Sequence, residues 1–251
     1  MGIEKSHVLI LNKVNYSDTS LIIVALSPEE GILRLMGKGF RKPPTRSFSG
    51  REPIETFSEM EFSYFRSTGE LHHLRECNVI NPHWAIREKY ENLLAASFAA
   101  GLALDFSSVG GDGEYKMLHE LFHSIGKNDS SLCLKVMRYW IRLLSLGGFL
   151  PSFDGCSSCG AEFDPENIEY IAGRGFLCAR CSCKRTDVSM KLTKGDLRYA
   201  GHILGPNQGS RIKMAIVVRH KLVSLLCSIT AHEVGRPPRL LDRLRKICDN
   251  E

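Results

Sequence analysis

The chain has 251 residues, of which 43% are hydrophobic and 24% are charged, and its formal net charge is +5. This composition is typical of a folded globular protein and excludes an intrinsically disordered chain. The most apolar stretch, residues 95–104, is far too short to cross a bilayer, and residues 1–14 lack the apolar core of a signal peptide. We therefore expect a soluble, cytoplasmic protein with no membrane partner.

Residues 1–80 show strand patterns and no helical period. Met60, Phe62 and Tyr64 alternate with polar side chains, which is typical of a strand with one solvated face. Turn-prone sequences separate the aliphatic and β-branched runs. The predicted strands lie at 7–14, 19–26, 31–37, 55–65 and 70–80. Five short strands in so short a segment favour a closed five-stranded barrel of the OB type, forming a domain over residues 1–80.

The pattern becomes helical after Asn81 and Pro82, and Tyr90, Leu94 and Phe98 recur at helical spacing. The predicted helices lie at 84–106, 114–125, 131–146, 192–204, 213–232 and 238–248. We therefore expect a multidomain α+β protein. Its N-terminal OB-fold barrel would precede a helical domain over 81–251, with a cysteine module inserted at 151–185.

Residues 31–51 form a basic stretch without a single acidic side chain. Glycine, proline and serine surround the cations, which indicates a loop between strands, and Phe40 and Phe48 are interleaved with them. OB barrels bind single strands with such loops, using cations for phosphates and aromatic rings for base stacking. The stretch therefore favours nucleic-acid binding over the alternative of a solvated surface loop. The candidate DNA-binding residues are Arg34, Lys38, Arg41, Lys42, Arg46 and Arg51.

Residues 119–123 read HELFH, which matches the H-E-x-x-H pattern of zinc peptidases. The alternative function is therefore a metallopeptidase that uses His119, Glu120 and His123. A helical wheel places these three side chains beside or opposite an apolar stripe, as expected for a solvated flank. Gly126 fits the C-terminal end of this helix, and Asp129 fits the N-cap of the next one. The residues that match the peptidase pattern are therefore also explained by ordinary roles in and around a helix.

The strongest local signal is a pair of C-x-x-C motifs, formed by Cys156 with Cys159 and by Cys178 with Cys181. Zinc binds four thiolates in a tetrahedron, and a small hairpin between the motifs would bring the pairs together. Four thiolates fill the coordination sphere, so we expect one structural Zn²⁺ and no catalytic metal. Cys183 is a spare thiol that could compete with Cys181 for the metal.

Four further cysteines, Cys77, Cys133, Cys227 and Cys248, are interpreted as ordinary buried thiols, since disulfides are rare in a reducing compartment.

A second basic region closes the chain, with two acids, Glu233 and Asp242, among its cations. These cations could extend a DNA path or could serve the solubility of helices, and the sequence does not distinguish the two. The cations are Arg211, Lys213, Arg219, Lys221, Arg236, Arg239, Arg243, Arg245 and Lys246.

The chain resembles the bacterial recombination mediator family RecO over nearly its full length. The resemblance rests on YSDTSLIIVALSPEEGILRLMGKGFRK (16–42), on a helix running into GGFLPSFDGCSSCG (147–160), and on GFLCARC (175–181). The junction of that helix with the first C-x-x-C is its most specific part.

The resemblance implies an N-terminal OB barrel, a helical domain and a four-cysteine zinc module. It also implies a protein that is not an enzyme. Such a protein binds single- and double-stranded DNA, anneals complementary strands, and works with RecR and single-stranded-DNA-binding protein to help load RecA. Its expected location is the cytoplasm, in association with the nucleoid. The H-E-x-x-H letters are not part of the family pattern.

Overall fold

The structure, a computed structural model, describes residues 2–41, 52–106, 111–127, 130–183, 189–205 and 214–249. The chain divides into two compact units, Met1–Gly126 and Lys127–Glu251. No helix in the described ranges combines the length and the apolarity that a bilayer crossing requires.

The first unit begins with a closed five-stranded barrel in the order β1-β2-β3-β5-β4. Its strands are β1 (Ile3–Asn15), β2 (Leu21–Ser27), β3 (Gly31–Gly37), β4 (Glu59–Phe65) and β5 (Leu71–Asn81). All neighbouring strands are antiparallel except β3 and β5, which run parallel. This order and closure confirm the predicted OB-type barrel.

Side chains that alternate along the strands fill the barrel. Met60, Phe62 and Tyr64 are each at most 1% exposed, as the alternation along β4 predicts. They pack in one cluster with Ile23 of β2 and Leu35 of β3, which reach the centre from the other side of the barrel. Closure of the barrel leaves no free sheet edge. The buried apolar side chains at its centre stabilise it.

Three helices follow the barrel within the first unit: α1 (Trp84–Glu88), α2 (Tyr90–Asp105) and α3 (Asp112–Ser124). The single helix predicted over 84–106 is interrupted at Lys89, which has an extended backbone (φ −131°, ψ 143°). The Asn92 amide donates a hydrogen bond to the carbonyl of Ala85 at 2.7 Å, across the interruption.

The second unit contains a small three-stranded sheet, in the order β7-β6-β8, among helices. Its elements are α4 (Leu132–Leu146), β6 (Ile168–Ile171), β7 (Gly175–Cys178), α5 (Ala179–Ser182), β8 (Met190–Leu192), α6 (Lys194–Leu204), α7 (Ile216–Val234) and α8 (Leu241–Asp249). Trp140 on α4 is fully buried, and its indole donates a hydrogen bond to the Thr230 hydroxyl of α7 at 2.9 Å. The predicted helices of this region are thus present, and β8 and α5 are additions to the prediction.

The unit boundary at Gly126 places α1–α3 with the barrel. The domain boundaries predicted from the sequence, at residue 80 and around 151–185, stay predictions about which segments fold independently.

Candidate metal centre and nucleic-acid interface

The four predicted metal ligands come together in the second unit. The Sγ atoms of Cys156, Cys159, Cys178 and Cys181 lie within 4.8 Å of one another. Among the described residues this is the one group of three or more His, Cys, Asp or Glu side chains that could hold a metal ion. Four sulfur donors suit a tetrahedral, thiophilic cation and leave no position open for water.

Glycines allow the tight turn that carries the first pair. Gly160 has a positive φ of +71°, and its N–H donates to the Cys156 carbonyl at 2.8 Å. A Cβ added to Gly155 would lie 3.1 Å from the carbonyl oxygens of Gly160 and Ala161. Such crowding explains why this turn uses residues without side chains.

A β-hairpin brings the second pair to the first, as the sequence predicts. Strands β6 and β7 pair antiparallel, with Ile168 opposite Cys178 at the end of β7. The Ser157 N–H donates to the carbonyl of Phe176 at 2.8 Å, which ties the first turn to β7. The short helix α5 then starts immediately after Cys178 and carries Cys181.

Hydrogen bonds prepare two of the thiols for metal binding. Burial opposes ionisation of Cys156, but backbone N–H donors, led by that of Cys178, lower its pKa to about 6. The backbone N–H of Cys181 is the main cause of the lowered pKa of Cys178. Hydrogen bonds with Cys159 and Cys178 raise the pKa of the Cys181 thiol to about 12. A metal bound by all four sulfurs must therefore displace the Cys181 proton.

The remaining cysteines differ in role. Cys183 is exposed and lies outside the four-sulfur group. Cys77 is a buried thiol, as predicted, whereas Cys227 is only half-buried. The expectation of free thiols is wrong for Cys133 and Cys248, which form a disulfide between α4 and α8. Their separation by 115 positions gives no pattern that a sequence reading could detect.

The basic stretch begins on the barrel surface. Arg34 lies on β3, Lys38 and Arg41 follow that strand directly, and all three side chains are exposed. Arg34 makes a surface ion pair with Glu70 at 3.7 Å, which contributes little energy and leaves the guanidinium accessible. The other predicted DNA-binding residues, Lys42, Arg46 and Arg51, lie outside the described residues.

The first residues of the basic loop are fixed to the β1–β2 turn. The Arg41 N–H donates to the carbonyl of Thr19 at 3.2 Å, and the Arg41 guanidinium donates to the carbonyl of Ser17. The ring of Phe40 packs against the barrel core. Its half-buried ring thus helps to anchor the residues that follow β3, and base stacking by Phe40 stays a prediction. Phe48, the other suggested ring, lies outside the described residues.

The H-E-x-x-H residues lie on α3, on the flank that the helical wheel predicts. His119 is half-buried, and its Nε2 lies 3.2 Å from a carboxylate oxygen of Glu59 on β4. Glu120 and His123 are exposed. The rings of His119 and His123 stack with centroids 6.2 Å apart, and the ring of His83 lies 6.2 Å and 6.4 Å from them. Among the described residues, no set of three metal-binding atoms gathers around these rings.

Helix-boundary residues around the motif agree in part with the prediction. Gly126 follows α3 with a positive φ of +90°, as expected for a residue just beyond a helix end. Ser131, not Asp129, caps α4, because its hydroxyl accepts a hydrogen bond from the Leu134 N–H at 3.1 Å. Asp129 lies outside the described residues.

The C-terminal cations do not form a uniform basic surface. Arg219 is 8% exposed and donates to the Cys248 carbonyl at 2.5 Å, so it is a structural residue. Lys221 pairs with the buried Asp196 at 3.1 Å. Exposed cations remain on and before α8, and Arg211 and Lys213 lie outside the described ranges. The exposed ones are Arg239, Arg243, Arg245 and Lys246.

Comparison with known proteins identifies the family that the chain resembles. The family model described as "Recombination protein O N terminal" matches residues 1–83, and "Recombination protein O C terminal" matches residues 87–242. A DNA repair protein RecO of Syntrophus aciditrophicus is 30% identical, with 97% of this chain and 95% of the relative covered. The protein of the same name from Rubrobacter xylanophilus is 25% identical, with 78% of this chain and 79% of the relative covered. The one from Desulforudis audaxviator is 24% identical, with 96% of this chain and 94% of the relative covered.

Proposed function

The chain belongs to the RecO family of DNA repair proteins, and from this premise we propose that it is a DNA-binding recombination mediator. It binds single- and double-stranded DNA, anneals complementary strands, and acts with RecR and single-stranded-DNA-binding protein to help load RecA. The proposed location is the cytoplasm, at the nucleoid. We assign no catalytic residue, since His119, the first metal-binding residue of the peptidase pattern, is engaged by Glu59.

One observation carries this proposal: exposed cations follow one strand of an OB barrel, and the sequence continues them in a basic stretch without acids. Lys38 and Arg41 are exposed where β3 ends, and Lys42, Arg46 and Arg51 continue the basic stretch along the sequence. Two DNA strands repel each other through their phosphates, so annealing requires a positive surface that neutralises both. Phosphate contacts are independent of sequence, which suits a protein that must act on any complementary pair.

We further propose that the metal is one Zn²⁺ bound by Cys156, Cys159, Cys178 and Cys181, and that its role is structural. Bound zinc would hold the two C-x-x-C turns together, because all four cysteines would bind one cation through their thiolate sulfurs. Residues 1–80 would act as the DNA-binding domain and 81–251 as a helical domain carrying the zinc module at 151–185.

A strand-annealing assay tests the proposal. Two complementary labelled oligonucleotides are mixed with the full chain, both as bare strands and after coating with single-stranded-DNA-binding protein. We expect the chain to accelerate duplex formation in both cases. Acceleration with the coated strands would show that the chain acts on DNA that carries single-stranded-DNA-binding protein. An annealing rate equal to that of the strands alone in both cases would contradict the proposal.

A further inference from the structure

The outer surface of the barrel carries an open apolar strip beside the cations. A β-bulge in β1 shifts its register, after which Val14 lies opposite Ile22, and Val24 on β2 lies opposite Arg34 on β3. Directly paired residues project to the same face, and the intervening Ile23 is fully buried in the barrel. Val14 is 52% exposed, and Ile22 and Val24 are half-buried, so this face is accessible to a ligand.

An exposed aromatic side chain stands at the end of this strip. Tyr16 is 64% exposed, and its N–H donates to the Ser20 carbonyl at 3.0 Å, which fixes its backbone in the β1–β2 turn. Within the described barrel ranges 2–41 and 52–81, it is the one exposed phenyl or phenol ring. Such a ring gains nothing for the fold by facing water, and an exposed aromatic ring is a frequent feature of ligand contacts.

The cations that follow β3 lie against the same turn. Arg41 donates hydrogen bonds to the carbonyls of Ser17 and Thr19, which lie one and three residues after Tyr16. Lys38 follows Gly37, which pairs with the first residue of β2 across the sheet. A phenol ring next to a guanidinium and an ammonium group combines the two features that single-strand binding needs, namely a stacking surface and phosphate contacts.

We propose that Tyr16 stacks on an unpaired base and thereby gives this surface a preference for single strands over duplex. The inference rests on the proposed DNA-binding function and adds a residue and a strand preference to it. In a duplex both faces of each base are already stacked, so the Tyr16 ring has no free base face to contact there. The cations, in contrast, contact phosphates in either form of DNA.

The test measures Kd for a fluorescein-labelled oligothymidylate and for a labelled duplex, with the full chain over a range of salt concentrations. Tyr16→Ala is expected to weaken oligothymidylate binding about thirtyfold, the middle of the range for loss of one base–aromatic stack. The dependence of log affinity on log salt should stay unchanged, because an uncharged side chain releases no counterion. Duplex affinity should also stay unchanged.

Matched variants separate the possible outcomes. Tyr16→Phe and Tyr16→Trp keep a ring and should bind like the wild type, while Tyr90→Ala, which removes a tyrosine that is 59% exposed on α2, should have no effect. Normal oligothymidylate binding by Tyr16→Ala, or an equal loss for duplex, would overturn the inference. The Lys38→Ala/Arg41→Ala variant is measured in the same experiment. If it binds both single strands and duplex more weakly than the wild type, the proposed DNA-binding function stands even where the inference about Tyr16 fails.

Discussion

The barrel and the cysteine module are stabilised in different ways. The barrel closes on itself, and its centre is filled by fully buried side chains such as Phe62. The hairpin of the module has two strands of four residues each, and its turns converge on four sulfur atoms. The described cations of the barrel lie outside its core, so we expect their replacement to leave the fold intact, whereas replacement of the proposed metal ligands should disrupt the module.

Replacing Cys156 and Cys178 by serine is expected to have the largest effect. Each change removes a thiolate from the four-sulfur group, and metal binding and local folding form one event in such modules. The variant should lose its zinc and become sensitive to protease within residues 151–185. Elemental analysis and limited proteolysis measure the two effects.

A chelator and a third cysteine variant are the controls for the loss of zinc. A strong chelator added to the wild type should reproduce the protease sensitivity of the module and leave the barrel resistant. Cys183→Ser removes an exposed thiol outside the four-sulfur group and should keep one zinc per chain. Unchanged zinc in the Cys156→Ser/Cys178→Ser variant would mean that the metal assignment is wrong.

A buried carboxyl group is expected to make the stability of the first unit depend on pH. Glu114 on α3 is fully buried, its carboxyl oxygens have no hydrogen-bond partner among the described residues, and burial raises its pKa to about 8. Between pH 4.5, the ordinary value, and about pH 8, the folded chain binds one proton more than the unfolded chain. The free energy of unfolding therefore falls as the pH rises through this window, by on the order of 3 kcal/mol at pH 7.

Glu114→Gln cannot lose a proton, so it should flatten this decline and be more stable than the wild type at pH 8. The two proteins should be similar at pH 4.5. Denaturant titrations followed by circular dichroism at both pH values measure the difference. Parallel curves for the two proteins would show that Glu114 does not titrate in this window.

The smallest effect is expected for His119→Ala combined with His123→Ala. Both side chains lie on the solvated flank of α3, outside the four-sulfur group. Zinc content and strand annealing should therefore stay at wild-type values. A zinc content that falls in this variant and persists in Cys156→Ser/Cys178→Ser would favour the peptidase alternative.

Short-range patterns in the sequence were sufficient for most of the fold. The alternation of Met60, Phe62 and Tyr64 predicts a strand because burial on one face requires that period. The spacing of Cys156 and Cys159 predicts a metal turn because two sulfurs must approach one ion from a single turn. Both predictions depend on residues that are close in the chain, and the structure confirms the strand and the gathering of the four sulfurs.

Features that depend on distant contacts could not be predicted in this way. The Cys133–Cys248 disulfide joins α4 to α8, and neither cysteine has a neighbour that indicates pairing. Phe40 lies among cations in the sequence, but its ring packs on the barrel core. The β-bulge that precedes Val14 likewise follows from the pairing of β1 with β2, so the exposed strip on the barrel is visible only in three dimensions.

The central claim, that the barrel cations bind DNA through phosphates, is tested most directly by the salt dependence of single-strand binding. Lys38→Ala/Arg41→Ala should flatten the slope of log affinity against log salt by about 1.4, since each phosphate contact on a single strand contributes about 0.7. Lys5→Ala/Lys116→Ala is the matched control. It removes the same charge from two exposed lysines that pair with Glu61 and Asp112, and its slope should equal that of the wild type. An unchanged slope in Lys38→Ala/Arg41→Ala would place the DNA elsewhere on the protein and contradict the account.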